Sequence, residues 1–156
     1  MAKNYGKDFE RKFKEDFLKI PDSTLDRLPD IMSGYKSIKG ICDFIGYIYP
    51  NIYYLECKSV HGNTFPLTSL TQYDKMLPKT KVKGVRTGVI IWFVDHSKVV
   101  YVPISSVERM RQDNIKSVNI KMLAGSEYSI FEMPSSKKRV FLDTDYSKLR
   151  TLEEGQ

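Results

Sequence analysis

The stretch ICDFIGYIYPNIYYLECKSV, residues 41–60, places acidic and basic side chains among strongly apolar neighbours. Two β-rich runs flank the short turn YPN, which predicts a β-hairpin. Because side chains alternate across a strand, Glu56 and Lys58 share one face, while Cys57 takes the other. The hairpin also brings Asp43 onto the first of these faces, either opposite or diagonal to Glu56. The sequence therefore predicts a cluster of two carboxylates and one ammonium group.

Such a cluster has two interpretations. Two carboxylates within several Å repel each other unless a cation neutralises them, and hard oxygen ligands with water and phosphate suit Mg²⁺ or Mn²⁺. Such an ion polarises a phosphodiester and activates a bound water, and Lys58 could hold that water or offset transition-state charge. The alternative is an ion-paired cluster on a solvent-facing side of the sheet, because an E-x-K triplet is common by chance.

The rest of the chain predicts a mixed α/β sheet flanked by helices. An apolar stripe at i, i+4 spacing predicts a helix over residues 4–19, and a similar pattern predicts one over 67–78. The Pro- and Gly-containing residues 20–40 are interpreted as a long connection. The apolar run TGVIIWFV at 87–94 predicts a buried central strand, followed by the strand KVVYVPI and a short helix at 105–111. In the last third, EYSIFEM and KRVFLDT are candidate edge strands separated by an exposed PSSKK.

Length and composition restrict the class of protein. The 156 residues fit a single domain over 1–156, and a net charge of +6 favours a polyanionic partner, nucleic acid above all. No apolar run reaches the roughly 18 residues of a membrane helix, and the N-terminus lacks the apolar region of a secretory signal. We therefore expect a cytoplasmic protein. The two cysteines are too few for a disulfide framework and are expected to be buried thiols.

A set of short motifs runs along the first two thirds of the chain. They are NYGKDFE, Asp43-x-x-Gly46, ECK at 56–58, TFPL and the strand pair GVIIWFVDHSKVVYVPI. Together they resemble the RecU-like Holliday-junction resolvases of Gram-positive bacteria and their phages, within the PD-(D/E)xK nuclease superfamily. The resemblance covers about residues 4–107. It implies a PD-(D/E)xK nuclease-like mixed central sheet flanked by helices, and a Mg²⁺-dependent endonuclease that cuts four-way DNA junctions in recombination. Because symmetrical cutting of a junction needs two sites, it also implies a homodimer.

The resemblance implies roles for the charged cluster of the hairpin. Asp43 and Glu56 would bind the metal ion, with the backbone carbonyl of Cys57 as a third protein ligand. Lys58 would assist the attacking water. These four residues are the expected centre of the site.

Two further residues of the implied site lie on the predicted helices. Glu10 would supply an outer carboxylate, and Gln72 would orient the lysine or the substrate. Without the resemblance, Glu10 is interpreted as half of an exposed helix salt bridge and Gln72 as a surface amide. The superfamily name places proline before the first aspartate, whereas Cys42 stands there in this chain. Asp30 follows a proline but lies in a predicted loop, where it is interpreted as a turn residue.

Basic residues supply the expected DNA contacts. Arg27 precedes the hairpin, where relatives often grip the scissile phosphate. Lys79, Lys81, Lys83 and Arg86 form a basic loop, residues 79–86, that would position the DNA backbone without reading bases. Alternatively, Arg27 is an ordinary surface arginine, and residues 79–86 are a solvated charged loop that does not contact DNA.

Two other functions stay open at this point. The chain could be a structure-nonspecific or restriction-type endonuclease of the same fold, or a non-catalytic DNA-binding module. Residues 20–42 do not carry enough net positive charge to predict the full basic stalk with which RecU-like proteins enter a junction. Metal-dependent cleavage would separate an enzyme from a pure DNA-binding module.

Overall fold

Six strands form one mixed sheet at the centre of the fold. The structure, a computed structural model, describes residues 5–34, 36–38 and 40–152. In chain order the strands are β1 (Ser23–Arg27), β2 (Ile31–Ser33), β3 (Lys36–Ile38), β4 (Phe44–Ile48), β5 (Asn51–Val60), β6 (Thr64–Pro66), β7 (Val85–Phe93), β8 (Lys98–Pro103), β9 (Ser117–Asn119), β10 (Phe131–Met133), β11 (Ser135–Lys138) and β12 (Phe141–Thr144). The sheet has the order β1-β4-β5-β7-β8-β10, in which β5 and β7 are parallel and the other neighbours antiparallel. This arrangement confirms the predicted α/β fold with a mixed central sheet.

Helices cover both faces of the sheet. They are α1 (Tyr5–Phe17), α2 (Tyr73–Met76) and α3 (Ile104–Gln112). The buried residues Phe9, Phe13 and Phe17 of α1 share one core with Leu55, and residues of α2 and α3 share the opposite core. Because side chains alternate along β5, Leu55 faces α1 and Glu56 faces the other layer. No helix in the described part of the chain is long and apolar enough to cross a membrane.

The hairpin β4–β5 has the register that the sequence allowed. Phe44 pairs with Leu55, and the strands connect at Tyr49–Pro50. Gly46 lies where β4 passes beneath α1, and a Cβ atom there would approach Leu25 Cδ1 to 2.8 Å and Phe17 Cζ to 3.1 Å. The glycine therefore lets α1 and β1 pack closely against the strand that leads to Asp43.

The predicted helix over 67–78 is wrong as a continuous element. The segment divides into a 3₁₀ turn at Leu67–Ser69, the single-turn α2 and a second 3₁₀ turn at Leu77–Lys81. Leu70 leaves the helical region with φ −87° and ψ 77°, so the hydrogen-bonding pattern is interrupted there. The apolar spacing is kept nevertheless, because Leu70 and Met76 are buried in the same core.

Two interpretations of connecting segments also need correction. The connection predicted over 20–40 contains the edge strand β1 and the small β2–β3 hairpin. In the last third, Phe131–Met133 is the edge strand β10, as expected. The segment PSSKK is exposed, as expected, but it supplies the strand β11 instead of only separating two strands. β11 pairs with β12 in a hairpin outside the central sheet. These strands are short or carry few buried residues, so their apolar alternation is weak.

Candidate active site

Asp43 and Glu56 lie opposite each other at the point where the β4–β5 ladder ends. The ladder pairs Phe44 with Leu55, so Asp43 and Glu56 are the next pair outward. The Asp43 carboxylate accepts a 2.9 Å hydrogen bond from the backbone N–H of Cys57, and its carbonyl accepts one of 2.8 Å from Leu28 N–H. The backbone on both neighbouring strands therefore fixes Asp43, although it stands outside the regular ladder.

Glu56 is a carboxylate in the interior of the protein. Its exposed fraction is 1%, and Lys58 Nζ lies 3.7 Å from Glu56 Oε2. Lys58 remains partly exposed, because β5 extends past its partner β4 at this end. The predicted cluster of two carboxylates and an ammonium group is thus present on one face of the hairpin.

These side chains open into a cavity of about 340 Å³. The cavity brings together residues from α1, β1, the β4–β5 hairpin and the segment before α2. Its lining residues are Gly6, Glu10, Arg27, Asp30, Asp43, Glu56, Cys57, Lys58, Ser59 and Gln72. Seven residues predicted from sequence therefore meet in one place, although they span more than sixty positions of the chain.

Glu10 and Arg27 form an ion pair at the rim of the cavity. Arg27 Nε donates a 2.9 Å hydrogen bond to Glu10 Oε2, and this bond raises the pKa of Arg27. Arg27 Nη1 also donates to the Leu28 carbonyl at 2.9 Å. The arginine expected to bind phosphate and the expected outer carboxylate therefore neutralise each other.

Gln72 is buried rather than a surface amide. Its exposed fraction is 6%, and its Oε1 accepts a 2.9 Å hydrogen bond from Thr71 Oγ1. It precedes α2, which packs against the face of the sheet that carries Glu56. The amide consequently reaches the cavity from the layer opposite α1.

Both cysteines are free, buried thiols, as expected. Burial raises the pKa of the Cys57 thiol well above its ordinary value, and it raises that of Cys42 to about 12. A protonated thiol is a poor ligand for a hard cation. The N–H and C=O of one strand residue point to the same edge, so the Cys57 carbonyl is directed toward the side where Asp43 lies.

The donor set fits a hard divalent cation. In the chain from 5 to 152, apart from positions 35 and 39, no three His, Cys, Asp or Glu side chains converge tightly enough to enclose a metal ion. Two carboxylates and a main-chain carbonyl are nevertheless hard oxygen donors, and Mg²⁺ typically keeps several water ligands beside one or two carboxylates. The residues present therefore suit Mg²⁺ better than zinc, which prefers nitrogen and sulfur.

The basic loop lies next to the cavity and not in it. Lys79 Nζ stands 5.6 Å from the centre of the Tyr54 ring, and Tyr54 is on the Glu56 face, roughly 7 Å along β5 from Glu56. Lys81 pairs with Glu108 at 3.3 Å, and Lys83 is exposed. Arg86 belongs to β7 and not to a loop, and its pairing with Tyr53 places it on the α1 face of the sheet, opposite to Tyr54 and Glu56. Lys79 and Lys81 therefore extend the basic surface along the Glu56 side of the sheet, but Arg86 does not.

Three cavity residues were not predicted as functional. Asp30, interpreted as a turn residue, follows β1 and lines the cavity together with Ser59 and Gly6. The pairing of β1 with β4 brings Asp30 there, and that pairing has only a weak sequence signal. Ser59 follows Lys58 directly on β5, so its position next to a predicted site residue could have indicated that it lines the cavity.

The sequence of the chain is similar to that of one known protein family. The sequence model of the family described as Recombination protein U, RecU, matches residues 16–142. The chain belongs to the RecU family. The match begins after Glu10 and extends well past residue 107, so it includes most of the last third, for which the motifs gave no resemblance. No curated sequence matches the chain.

The fold of this RecU-family chain is similar to that of a solved structure. This is Hjc of Archaeoglobus fulgidus, a Holliday junction resolvase from an archaeal hyperthermophile, with a TM-score of 0.52 and 16% sequence identity. The similarity covers 77% of this chain and 100% of that one. It supports the α/β nuclease-type fold.

Proposed function

We propose that this RecU-family chain is a Mg²⁺-dependent DNA endonuclease that cuts four-way junctions, with Mn²⁺ as a possible substitute. The observation that carries the proposal is the convergence of Asp43, Glu56 and Lys58 in one open cavity. Burying a carboxylate is costly unless a cation compensates its charge, and buried charges of this kind are typical of functional sites. A bound metal ion would compensate the charge of Glu56. The positive net charge of the chain favours the same substrate.

Each residue of the cavity has a role in this proposal. Asp43, Glu56 and the Cys57 carbonyl would hold the ion, which when bound would polarise the phosphodiester and activate a water for attack. Lys58, 3.7 Å from Glu56, would hold the attacking water and offset negative charge in the transition state. Gln72 would fix the orientation of the lysine or of the substrate.

The rim pair would respond to the arrival of DNA. Arg27 would exchange its hydrogen bond with Glu10 for the scissile phosphate, since a guanidinium binds phosphate with two parallel hydrogen bonds. Glu10 would then be released toward a second ion or a water. The basic loop, through Lys79, Lys81 and Lys83, would bind the flanking backbone, with Arg86 at the start of β7 as a further contact.

A homodimer would present two such cavities to one junction. Symmetrical cutting requires two sites related by a two-fold axis, which a closed dimer supplies. The RecU family and the fold shared with a Holliday junction resolvase support this substrate. We place the enzyme with its DNA in the cytoplasm of a bacterial or phage-infected cell.

The test is incubation with a four-way junction and with linear duplex, each with and without Mg²⁺. We expect Mg²⁺-dependent cleavage and a roughly tenfold preference for the junction, or about 1.4 kcal/mol, when unlabelled duplex competes. Equal competition by the two DNAs would favour a structure-nonspecific endonuclease. Binding of both DNAs without cleavage in the presence of Mg²⁺ would instead indicate a DNA-binding module.

A further inference from the structure

The β11–β12 hairpin carries a concentration of positive charge that the cavity does not use. Lys138 pairs with Phe141, so Arg139 and Val140 form a two-residue turn between the strands. Lys137, Lys138 and Arg139 are all exposed. Within the described ranges, these three cations have no carboxylate within ion-pairing distance, and the nearby Asp143 is already bonded to Lys12 at 2.7 Å.

This hairpin is anchored to the protein and is not a loose tail. At its base, Ser135 and Thr144 share a 3.0 Å side-chain hydrogen bond, and Thr144 N–H donates to the buried Asp16. At the other end, the Phe141 ring packs 5.5 Å from that of Trp92. Because the hairpin already holds the backbone of these three cationic residues in place, less conformational entropy is lost when they bind a polyanion.

The hairpin and the cavity contact opposite sides of α1. Glu10 of α1 lines the cavity, whereas Lys12 of α1 binds Asp143 of β12. Phe9 lies between them, faces the core and packs on Trp92 at 5.6 Å. At about 100° per residue, Glu10 and Lys12 point in nearly opposite directions around the helix. The tip itself lies near the first turn of α1, because Phe141 beside the tip packs on Trp92, and the Trp92 ring lies 5.6 Å from that of Tyr5.

We propose that the β11–β12 hairpin is a second phosphate-binding element, which holds the duplex arm beside the cleavage position. This rests on the proposed endonuclease function. Because Gly6 follows Tyr5 and lines the cavity, one duplex arm that crosses the first turn of α1 can contact both the cavity and the tip. Lys137 and Lys138 would contact phosphates without reading bases, which fixes the arm relative to the cavity.

The test measures the dependence of junction binding on salt, in EDTA so that no cleavage occurs. The variant Lys137→Ala/Lys138→Ala removes two cations of the tip, and the matched control Lys116→Ala/Lys121→Ala removes two exposed lysines on the other side of the sheet. The hairpin variant should lower the slope of log affinity against log salt by about 1.8, and weaken binding about tenfold at 0.2 M salt. The control should change the slope by less than about 0.5.

A second variant and a modified DNA make the result specific. Arg139 has φ +50°, so Arg139→Asn removes the charge with a residue that tolerates this conformation, and thermal unfolding confirms that each variant is folded. Neutral methylphosphonate linkages in the arm beside the cleavage position should abolish the difference between wild type and the hairpin variant. An equal slope change in variant and control, or none in either, would overturn the hairpin proposal while wild-type cleavage still stands. Absence of both binding and cleavage in the wild type would instead reject the endonuclease function.

Discussion

Glu56→Gln tests the proposed metal site because it changes charge and almost nothing else. The two side chains have the same shape, and residue 56 is 1% exposed, so the cavity should keep its form. Loss of a main electrostatic contributor should reduce Mg²⁺-dependent junction cleavage by at least about 10²-fold. Binding of DNA should persist or tighten, because a negative charge has left a site that faces phosphate.

The structure also predicts how the stability of this variant responds to metal. With an effective dielectric constant of about 20, the 3.7 Å contact of Glu56 with Lys58 contributes about 4 kcal/mol of attraction. Repulsion from Asp43, at roughly the 5 Å spacing of opposed side chains, offsets about 3 kcal/mol of it. The Gln variant also avoids the cost of burying a charge, so its metal-free stability should be lower than that of the wild type by no more than about 1–2 kcal/mol.

Mg²⁺ should raise the Tm of the wild type more than that of the Glu56→Gln variant. At ten times its dissociation constant, the ion stabilises the wild type by RT ln 11, about 1.4 kcal/mol, or roughly 3–6 °C in Tm for a chain of this size. The Gln variant should gain less than about 1 °C. Glu132→Gln, which breaks the surface pair with Lys98, is the control and should keep both cleavage and the Mg²⁺ effect. Near-normal cleavage by Glu56→Gln, or an unchanged Mg²⁺ shift, would refute the assignment.

Three further variants address the other groups in and near the cavity. Lys58→Ala should lower the single-turnover cleavage rate far more than junction affinity; an affinity loss equal to the rate loss would make this lysine a phosphate anchor. In the basic loop, simultaneous replacement of Lys79, Lys81 and Lys83 by alanine should flatten the salt dependence of binding by up to about three units, and an unchanged slope would leave the loop as solvated surface. Arg27→Gln should weaken junction binding by about tenfold, measured by titration of labelled junction, and no change would confine the arginine to its structural ion pair.

The centre of the candidate site could be predicted because it depends on local rules. Alternation along a strand and the position of the YPN turn place Asp43, Glu56 and Lys58 on one face, whichever of the two registers is formed. The structure has the register in which Asp43 opposes Glu56 directly. The aromatic stripe of α1 likewise predicts which side of the helix meets the sheet, and hence that Glu10 lies at its edge.

Features that depend on distant pairing could not be predicted in the same way. β1 buries only Leu25, so its sequence carries no clear alternation, and Asp30 reaches the cavity only because β1 pairs with β4. All four residues of β11 are exposed, and their strand conformation comes from pairing with β12. The composition of β11 is therefore typical of a loop, although its backbone forms a strand.

The contacts that hold the β11–β12 hairpin against α1 should make stability depend on pH in a definite direction. Burial disfavours the Lys12 ammonium, but its hydrogen bonds with Asp143 and Asp16 outweigh this effect and raise the pKa of Lys12. The hydrogen bond from Lys12 lowers the pKa of Asp143 below its ordinary value of 3.8. The contribution of ionised Asp143 to the free energy of unfolding is therefore present above pH 3.8. It is lost as the pH falls through the lower pKa that Asp143 has in the folded state. The Lys12 contribution is present below its ordinary pKa of 10.5 and is lost as pH rises through the higher folded-state pKa.

Lys12→Met isolates this contribution, because it keeps the apolar stem and removes the charge. The difference in unfolding free energy between wild type and Lys12→Met should be constant between about pH 5 and 9 and should shrink below pH 3.8, as measured by denaturant titration. Lys14→Met, on the exposed side of α1, should show no such trend. A difference that stays the same from pH 7 to pH 2.5 would show that Lys12 stabilises the protein by packing alone. If the trend is found, junction binding should weaken in Lys12→Met as well, because the same contacts fix the cationic tip beside the DNA.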